Sequence, residues 1–319
     1  MTAVFGFDTS NYTTSAAAFV PQTSFLTQQK KLLPVKPGEK GLRQSDAVFH
    51  HTVQLPQVFS ALQEGIDARP LAVCASVSPR MEAGSYMPCF LVGKGAGELL
   101  ARANGVPFFT TSHQHGHVMA ALFGAQRLDL AERQFLAFHV SGGTTEALLV
   151  SPDPQEILQI RCVASSLDLK AGQAIDRVGL MLGLQFPCGA ALDRLSRESD
   201  RIFRIRPTLK DGCPSLSGIE NQCRKMIENG ESPADVARFC ILSVAAALEG
   251  MTAFLLQQYG DLPLLYAGGV MSNSEIRKRF EKQFGAVFAP PEFSCDNAAG
   301  VALIGSMKMQ RNLESCHQF

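Results

Sequence analysis

The chain has 319 residues, 46% of them hydrophobic, with 29 basic and 29 acidic side chains. That length and apolar content can bury a large core and favour two lobes over one unit, while a formal charge of zero excludes a global attraction to nucleic acid, so any such contact needs a local basic patch. Nine cysteines form an odd set with no Cys-x-x-Cys pair, which argues against a disulfide framework or zinc ribbon and for free thiols in a reducing cytoplasm.

The first predicted strand begins at Val4, leaving no room for a signal peptide. From Val4 to Val20 an apolar strand meets a hydroxyl-rich bend, Asp8-Thr9-Ser10 and Thr13-Thr14-Ser15, and a second apolar strand leaves it. Residues 30–41, with four lysines, two prolines and two glycines, read as an exposed loop. Ser45 to Leu62 has helical apolar spacing that Pro56 should kink or divide, and His50 and His51 fall on different faces of it. Leu71 to Val77 reads as a strand, and a helix from about Pro88 to Ala103 ends at Asn104-Gly105.

After a strand at Val106 to Thr110, Ser112 can cap a helix that begins with His113. His113 and His117 are four residues apart, so both imidazoles share one face within reach of a single metal ion, while His115 points elsewhere. A third ligand has to come from another segment. Asp296, where a loop becomes the final helix at Asn297 to Gln310, is the candidate; it could equally cap that helix.

Phe135 to Val150 repeats the opening pattern, with Ser141-Gly142-Gly143-Thr144-Thr145 at the bend. Two glycines and adjacent hydroxyls can cradle a phosphate, or can simply make the turn. Two such hairpins, each opening half of the chain, suggest a duplicated α/β unit facing a nucleotide. In the predicted helix within Leu167 to Leu182, Asp176 is either a solvated charge or an acceptor for ribose hydroxyls, with Gly189 as a close backbone contact. Arg201, Arg204, Arg206 and Lys210, interleaved with apolar residues, form the strongest basic patch, read as a phosphate contact or a solvated strand edge. A long core helix starts at Ser232 with Pro233 in its first turn, and its apolar run, Phe239 to Leu248, falls far short of the ~20 residues of a membrane span. Leu262 to Asn273 reads as a buried strand ending in Gly268-Gly269, with Ser272 or Ser274 capping the next helix, and Val287 to Ala289 as a last strand.

With these segments placed, the chain resembles the TsaD family, the tRNA threonylcarbamoyltransferases formerly labelled O-sialoglycoprotein endopeptidases. The resembling motifs are Gly6-Phe7-Asp8-Thr9-Ser10, His113 to His117, Val140 to Gly143, Ala174 to Arg177, Phe186 to Gly189 with Asp193, Ala267 to Val270 with Asn273, and Asp296-Asn297, all in the family's order. The resemblance implies an actin-like, Hsp70-like ATPase (ASKHA) α/β fold of two ribonuclease-H-like lobes around a nucleotide cleft. The expected lobes are residues 1–122 plus 297–319, and 123–296. It further implies one divalent metal, iron or zinc, on His113, His117 and Asp296. Ser141, Gly142, Gly143 and Thr144 would hold the phosphate end of an adenine nucleotide or of threonylcarbamoyl-adenylate, and Asp176, Gly189, Asp193, Gly268, Gly269 and Asn273 its nucleoside.

Asp8 and Thr13 are the implied catalytic positions. The implied partners are tRNA, helper proteins similar to TsaB and TsaE, and a second subunit in a homo- or heterodimer, with no membrane and a cytoplasmic location. The implied reaction moves threonylcarbamoyl to the exocyclic amine of the adenosine 3′ of the anticodon, releasing AMP. A metallopeptidase reading of the His pair fails, because position 114 is Gln where such a helix carries Glu. Several positions depart from the family pattern: Tyr12 and Thr13 replace an acidic pair, Thr144 a His, Gln173 a Glu, Cys188 a Gly and Glu220 a Lys. Binding positions survive better than those near the transfer chemistry, so the alternative expectation is a divergent paralogue that binds nucleotide and metal and acts through protein contacts.

Overall fold

The computed structural model describes residues 1–10, 12–34, 42–295 and 297–316. Asn11, the second half of the lysine-rich loop, Asp296 and the last three residues therefore lie outside the described residues. In chain order the elements are β1 (Thr2–Ser10), β2 (Thr13–Val20), β3 (Phe25–Leu32), α1 (Gln44–Gly65), β4 (Arg69–Ser76), α2 (Phe90–Asn104), β5 (Phe108–Thr111) and α3 (His113–Gly124). There follow β6 (Phe135–Val140), β7 (Thr145–Asp153), β8 (Ile157–Ser165), α4 (Ala171–Met181), α5 (Gly189–Ser196), β9 (Thr208–Lys210) and β10 (Cys213–Ser215). The last are α6 (Ser217–Glu228), α7 (Pro233–Tyr259), β11 (Leu264–Ala267), α8 (Ser274–Phe284), β12 (Val287–Phe288) and α9 (Ala299–Cys316).

By contacts the chain divides into a first unit, residues 1–131, 152–159 and 293–319, and a second unit, residues 132–151 and 160–292. Each carries a five-stranded sheet, in the orders β3-β2-β1-β4-β5 and β12-β11-β6-β7-β8. The two orders are the same once strands are counted from the start of each unit. In both, the first strand pairs antiparallel with the second and parallel with the fourth. The repeated hairpin pattern in the sequence is thus the opening of a repeated topology.

In the first unit β1 and β2 are buried along nearly their whole length, as apolar or small residues on both faces require. α1 and α2 cover one face, where Phe5 and Phe7 meet Phe59 at 5.6 and 5.5 Å between ring centroids. α9 packs along β1, β4 and α3, and it can come close only because small residues line it. A Cβ on Gly6 would stand 2.5 Å from Ala302 N, and one on Gly300 would stand 1.9 Å from Gly116 O. In the second unit Tyr266 is the core anchor, stacked on Phe138 at 4.4 Å and on Phe288 at 5.4 Å, with its hydroxyl 2.6 Å from Thr252 Oγ1.

Four elements differ from the sequence reading. The lysine-rich stretch begins as a strand: Lys30 and Lys31 belong to β3, an exposed edge whose polar sequence hid it. Pro56 does not divide α1, because Gln54, Leu55, Val58 and Leu62 are buried on both sides of it and hold one continuous helix. Residues 201–207 form no strand, and only Thr208–Lys210 of the basic stretch pairs, with β10. α7 runs 27 residues and by length and composition could cross a membrane, yet Val236, Ile241, Val244, Leu248, Met251 and Leu255 lie in the second unit's core.

The Gly300–Gly116 approach yields a prediction. Gly300→Ala should lower stability by about 1–3 kcal/mol through overpacking of α9 against α3. Gly95→Ala, on α2 with nothing within 4 Å of the added methyl, should be neutral or stabilise by about 0.5–1 kcal/mol. Denaturant unfolding of the two variants checks the contrast.

Candidate functional site

In the first unit the C-terminal ends of β1, β4 and β5 lie side by side, and α3 starts directly after β5. Ser112 caps α3 as expected, its hydroxyl accepting from His115 N at 3.3 Å. This fixes the first turn. His115 is buried and turned away, 2.7 Å from Ser112 Oγ through Nδ1 and 2.8 Å from Leu158 O through Nε2. His113 and His117 share the opposite face, with their Nε2 atoms 2.9 Å apart.

Asp8, at the end of β1, is fully buried. Its Oδ1 accepts from Ser76 Oγ on β4, and its Oδ2 lies 3.0 Å from His113 Nδ1. A carboxylate on Nδ1 holds the proton there and leaves Nε2 of His113 as a lone-pair donor directed at His117. Two imidazoles on one ion at about 2.0–2.1 Å would stand roughly 3.3 Å apart, so the observed pair suits a shared metal with little movement. Among the described residues no group of three or more His, Cys, Asp or Glu forms a metal site, and the expected third ligand, Asp296, lies outside them. Asn297 beside it caps the last helix, accepting from Ala299 N at 3.0 Å.

Behind the hairpin lies a polar chain that the sequence reading missed. Gln54 Nε2 donates to Leu32 O at 3.2 Å and Thr14 Oγ1 donates to Gln54 Oε1 at 2.9 Å. His51 Nδ1, 2.8 Å from Thr14 Oγ1, must therefore be the donor, which leaves Nε2 buried without a hydrogen-bond partner among the described residues. Burial lowers the His51 pKa to about 4, against the pull of Asp8. The i, i+3 spacing of His51 and Gln54 on α1 was the available signal, read only as two histidines on different faces. Thr13 is buried in β2, opposite Ser10, and Tyr12 is partly exposed.

In the second unit the turn after β6 closes on itself. Ser141 N donates to Thr144 O at 2.7 Å and Thr144 N to Ser141 Oγ at 3.1 Å. α4 abuts it: Gly172 N donates to Ser141 O at 3.2 Å, Ala171 N to Thr145 Oγ1 at 2.9 Å, and a Cβ on Gly172 would stand 2.7 Å from Gly142 N. The first amides of α4 hold the turn, while Gly142 and Gly143 are exposed, with space where their side chains would be and no hydrogen bond from their N–H groups among the described residues. Gly268, at φ +104°, lies against the end of β6, where a Cβ would stand 2.2 Å from Val140 O. Three segments far apart in sequence, Ser141–Thr144, the start of α4 and Gly268-Gly269, therefore meet at the C-terminal end of β6, the central strand of the sheet.

Asp176 is not a solvated charge on an exposed face: its Oδ1 accepts from Cys188 N at 2.8 Å, which ties α4 to the start of α5 just before Gly189. Asn273, and neither Ser272 nor Ser274, caps α8, its Oδ1 accepting from Glu275 N and Ile276 N at 3.1 and 3.0 Å. Its Nδ2 donates to Asp193 Oδ1 at 2.9 Å, and Arg197 reaches the other oxygen of Asp193 at 2.5 Å, so both residues are engaged within the unit.

A family profile described as tRNA N6-adenosine threonylcarbamoyltransferase (TsaD) matches residues 36–303. A protein of that name from Dehalococcoides mccartyi is 33% identical over 79% of this chain and 76% of its own length. The chain belongs to the TsaD family. Among solved structures it is similar to HypF of T. kodakarensis, with a TM-score of 0.61 at 12% identity over 98% of this chain and 48% of that one. It is also similar to the (R)-2-hydroxyglutaryl-CoA dehydratase component A of Acidaminococcus fermentans, with a TM-score of 0.55 at 15% identity over 97% and 100%. At such identities the likeness carries the fold alone, which is of the actin-like ATPase type.

Against the TsaD pattern, three departures are accommodated locally. Glu220 lies between Arg177 at 2.9 Å and Arg224 at 3.0 Å, Gln173 Oε1 accepts from Lys170 N at 3.2 Å as in a capping box, and Cys188 sits over Gly179.

His51 sets a pH dependence. Its folded pKa is depressed below the unfolded value of about 6.5, so the unfolded chain binds more protons between that value and about 4. Stability should be full above pH ~6.5 and fall on acidification through that window, by on the order of 3 kcal/mol at most. Melting temperatures of the wild type and His51→Gln across pH 4–7 should show a shallower slope for the variant.

Proposed function

We propose that this TsaD-family chain is a tRNA threonylcarbamoyltransferase, which moves the threonylcarbamoyl group of threonylcarbamoyl-adenylate to the exocyclic amine of the adenosine 3′ of the anticodon. The observation that carries the reading is the His113–His117 pair held from behind by Asp8, in a chain that shares its family with transferases of that name.

His113, His117 and Asp296 would hold one divalent metal, iron or zinc, which when bound supplies Lewis-acid polarisation of the carbamoyl oxygens. Asp8 acts as a positioning residue: it keeps the Nδ1 proton of His113, so that Nε2 offers its lone pair. In the second unit the amides of Gly142 and Gly143, with the Ser141 and Thr144 hydroxyls, bind the phosphate; α4 behind the turn adds the positive end of its dipole. Asp176 faces the ribose with the oxygen that Cys188 N does not use. Gly189, Gly268 and Gly269 let backbone approach the nucleoside, and the Asp193–Asn273 pair shapes its pocket wall.

The amine nitrogen attacks the carbamoyl carbon, the bond from that carbon to the phosphate oxygen breaks, and AMP leaves with the electron pair. Thr13 can relay the amine proton but not hold it at neutral pH, where the family usually has a carboxylate. tRNA, TsaB-like and TsaE-like helpers, a homo- or heterodimeric assembly and a cytoplasmic location complete the proposal.

The pair Tyr12 and Thr13 favours a second reading, a paralogue that binds nucleotide and metal and acts through protein partners. The two separate in one assay with purified protein, the adenylate and tRNA. His113→Ala and His117→Ala should each lower transfer at least about 100-fold, and Asp8→Asn should weaken metal binding by about 10–100-fold. An inert wild type that gains turnover on Tyr12→Asp with Thr13→Glu would establish the paralogue instead.

A further inference from the structure

The stretch from Arg201 to Lys210 is built as a rail. From Phe203 on, the odd-numbered residues are the less exposed ones: Phe203 packs edge-on to Phe239 of α7 at 5.3 Å, and Pro207 and Leu209 lie over Gly250, where a Cβ would stand 2.4 Å from Leu209 Cδ1. At the far end Phe254 fills the space beside Gly212. Contacts with Phe239 and Gly250 of α7 thus anchor one side of these ten residues, and Phe254 anchors the turn just beyond them.

The even-numbered residues Arg204, Arg206, Thr208 and Lys210 are all exposed. Arg201 is neutralised: it pairs with Glu231 and lies 3.6 Å from Asp235, with its guanidinium over Phe203. Arg238 donates to Arg201 O at 3.0 Å, so its charge meets a carbonyl and no carboxylate. Arg204, Arg206 and Lys210 have no acidic partner among the described residues, and the nearest acids in sequence, Asp200 and Asp211, lie beyond either end.

We infer that Arg204, Arg206 and Lys210 form a phosphate track for RNA, which rests on the tRNA reading above and names the face of the second unit that grips the backbone of that tRNA. The rail offers no exposed aromatic ring for stacking on bases. It reads backbone charge and not sequence, so it positions any tRNA equally. With no net charge on the chain, such a strip is the kind of local attraction that RNA binding requires.

The test is equilibrium binding of total tRNA to the full chain by fluorescence anisotropy over a range of salt, for the wild type and for Arg204→Ala/Arg206→Ala/Lys210→Ala. Removing three phosphate contacts should weaken binding about 10- to 100-fold near 0.1 M salt and reduce the slope of log K against log salt by about 2–3. Melting temperature and AMP binding should stay at wild-type values, because the three side chains touch neither core nor the glycine turn. An unchanged slope in the variant overturns the track, whether or not the variant loses binding to an acidic protein in a parallel assay. A wild type that binds no tRNA at any salt overturns the tRNA reading itself, and the track with it.

Discussion

One buried carboxylate orders the first unit's chemistry. Asp8 has no access to solvent, and a buried charge persists only where partners replace water. Ser76 takes one oxygen and the His113 ring the other, so the end of β1 is tied both to β4 and to α3. The distance over which these ties act is set by glycines. Gly6 lets α9 lie against β1, and Gly116 with Gly300 lets α3 lie against α9, so the helix that carries the two rings has little freedom to shift. The same carboxylate that buries well also fixes which nitrogen of His113 is bare, and packing and ligand chemistry share one constraint.

The second unit solves a different problem with the same topology. Its opening hairpin ends in a turn whose inner hydrogen bonds are satisfied by Ser141, Thr144 and the first residues of α4, so the turn is held without using the two glycine amides. Bare amides on a rigid turn can take an anion without first giving up an internal bond. The departures from the TsaD pattern sort by the same logic. Glu220 found two arginines, Gln173 a cap and Cys188 a glycine to lie over, whereas Tyr12 and Thr13 offer no carboxylate near the end of β1.

Much of this was legible in the sequence, and the part that was not has a physical reason. The two hairpins, the Ser112 and Ser232 caps and the i, i+4 imidazoles are local patterns, and local patterns carry their own geometry. The misses came from long-range partners. Nothing near Asp176 in sequence announces that Cys188 N will reach it, nor near Asn273 that Asp193 will, so the sequence leaves Asp176 open between a solvated charge and a ribose acceptor and points to neighbouring serines as the cap of α8. The edge strand β3 escaped because its polar residues look like a loop until β2 pairs with them. The site residues themselves were named by family resemblance, and periodicity alone would have supplied only the histidines and the glycine turn.

The account rests on the paired rings as a metal site ordered by Asp8. Anomalous diffraction from crystals of the purified protein, recorded across the iron and zinc absorption edges, addresses it directly. One ion bound by Nε2 of both His113 and His117, with Asp8 still on His113 Nδ1, is the predicted result. Density showing the two rings bonded to each other, with the ion bound elsewhere or absent at saturating iron and zinc, would contradict it.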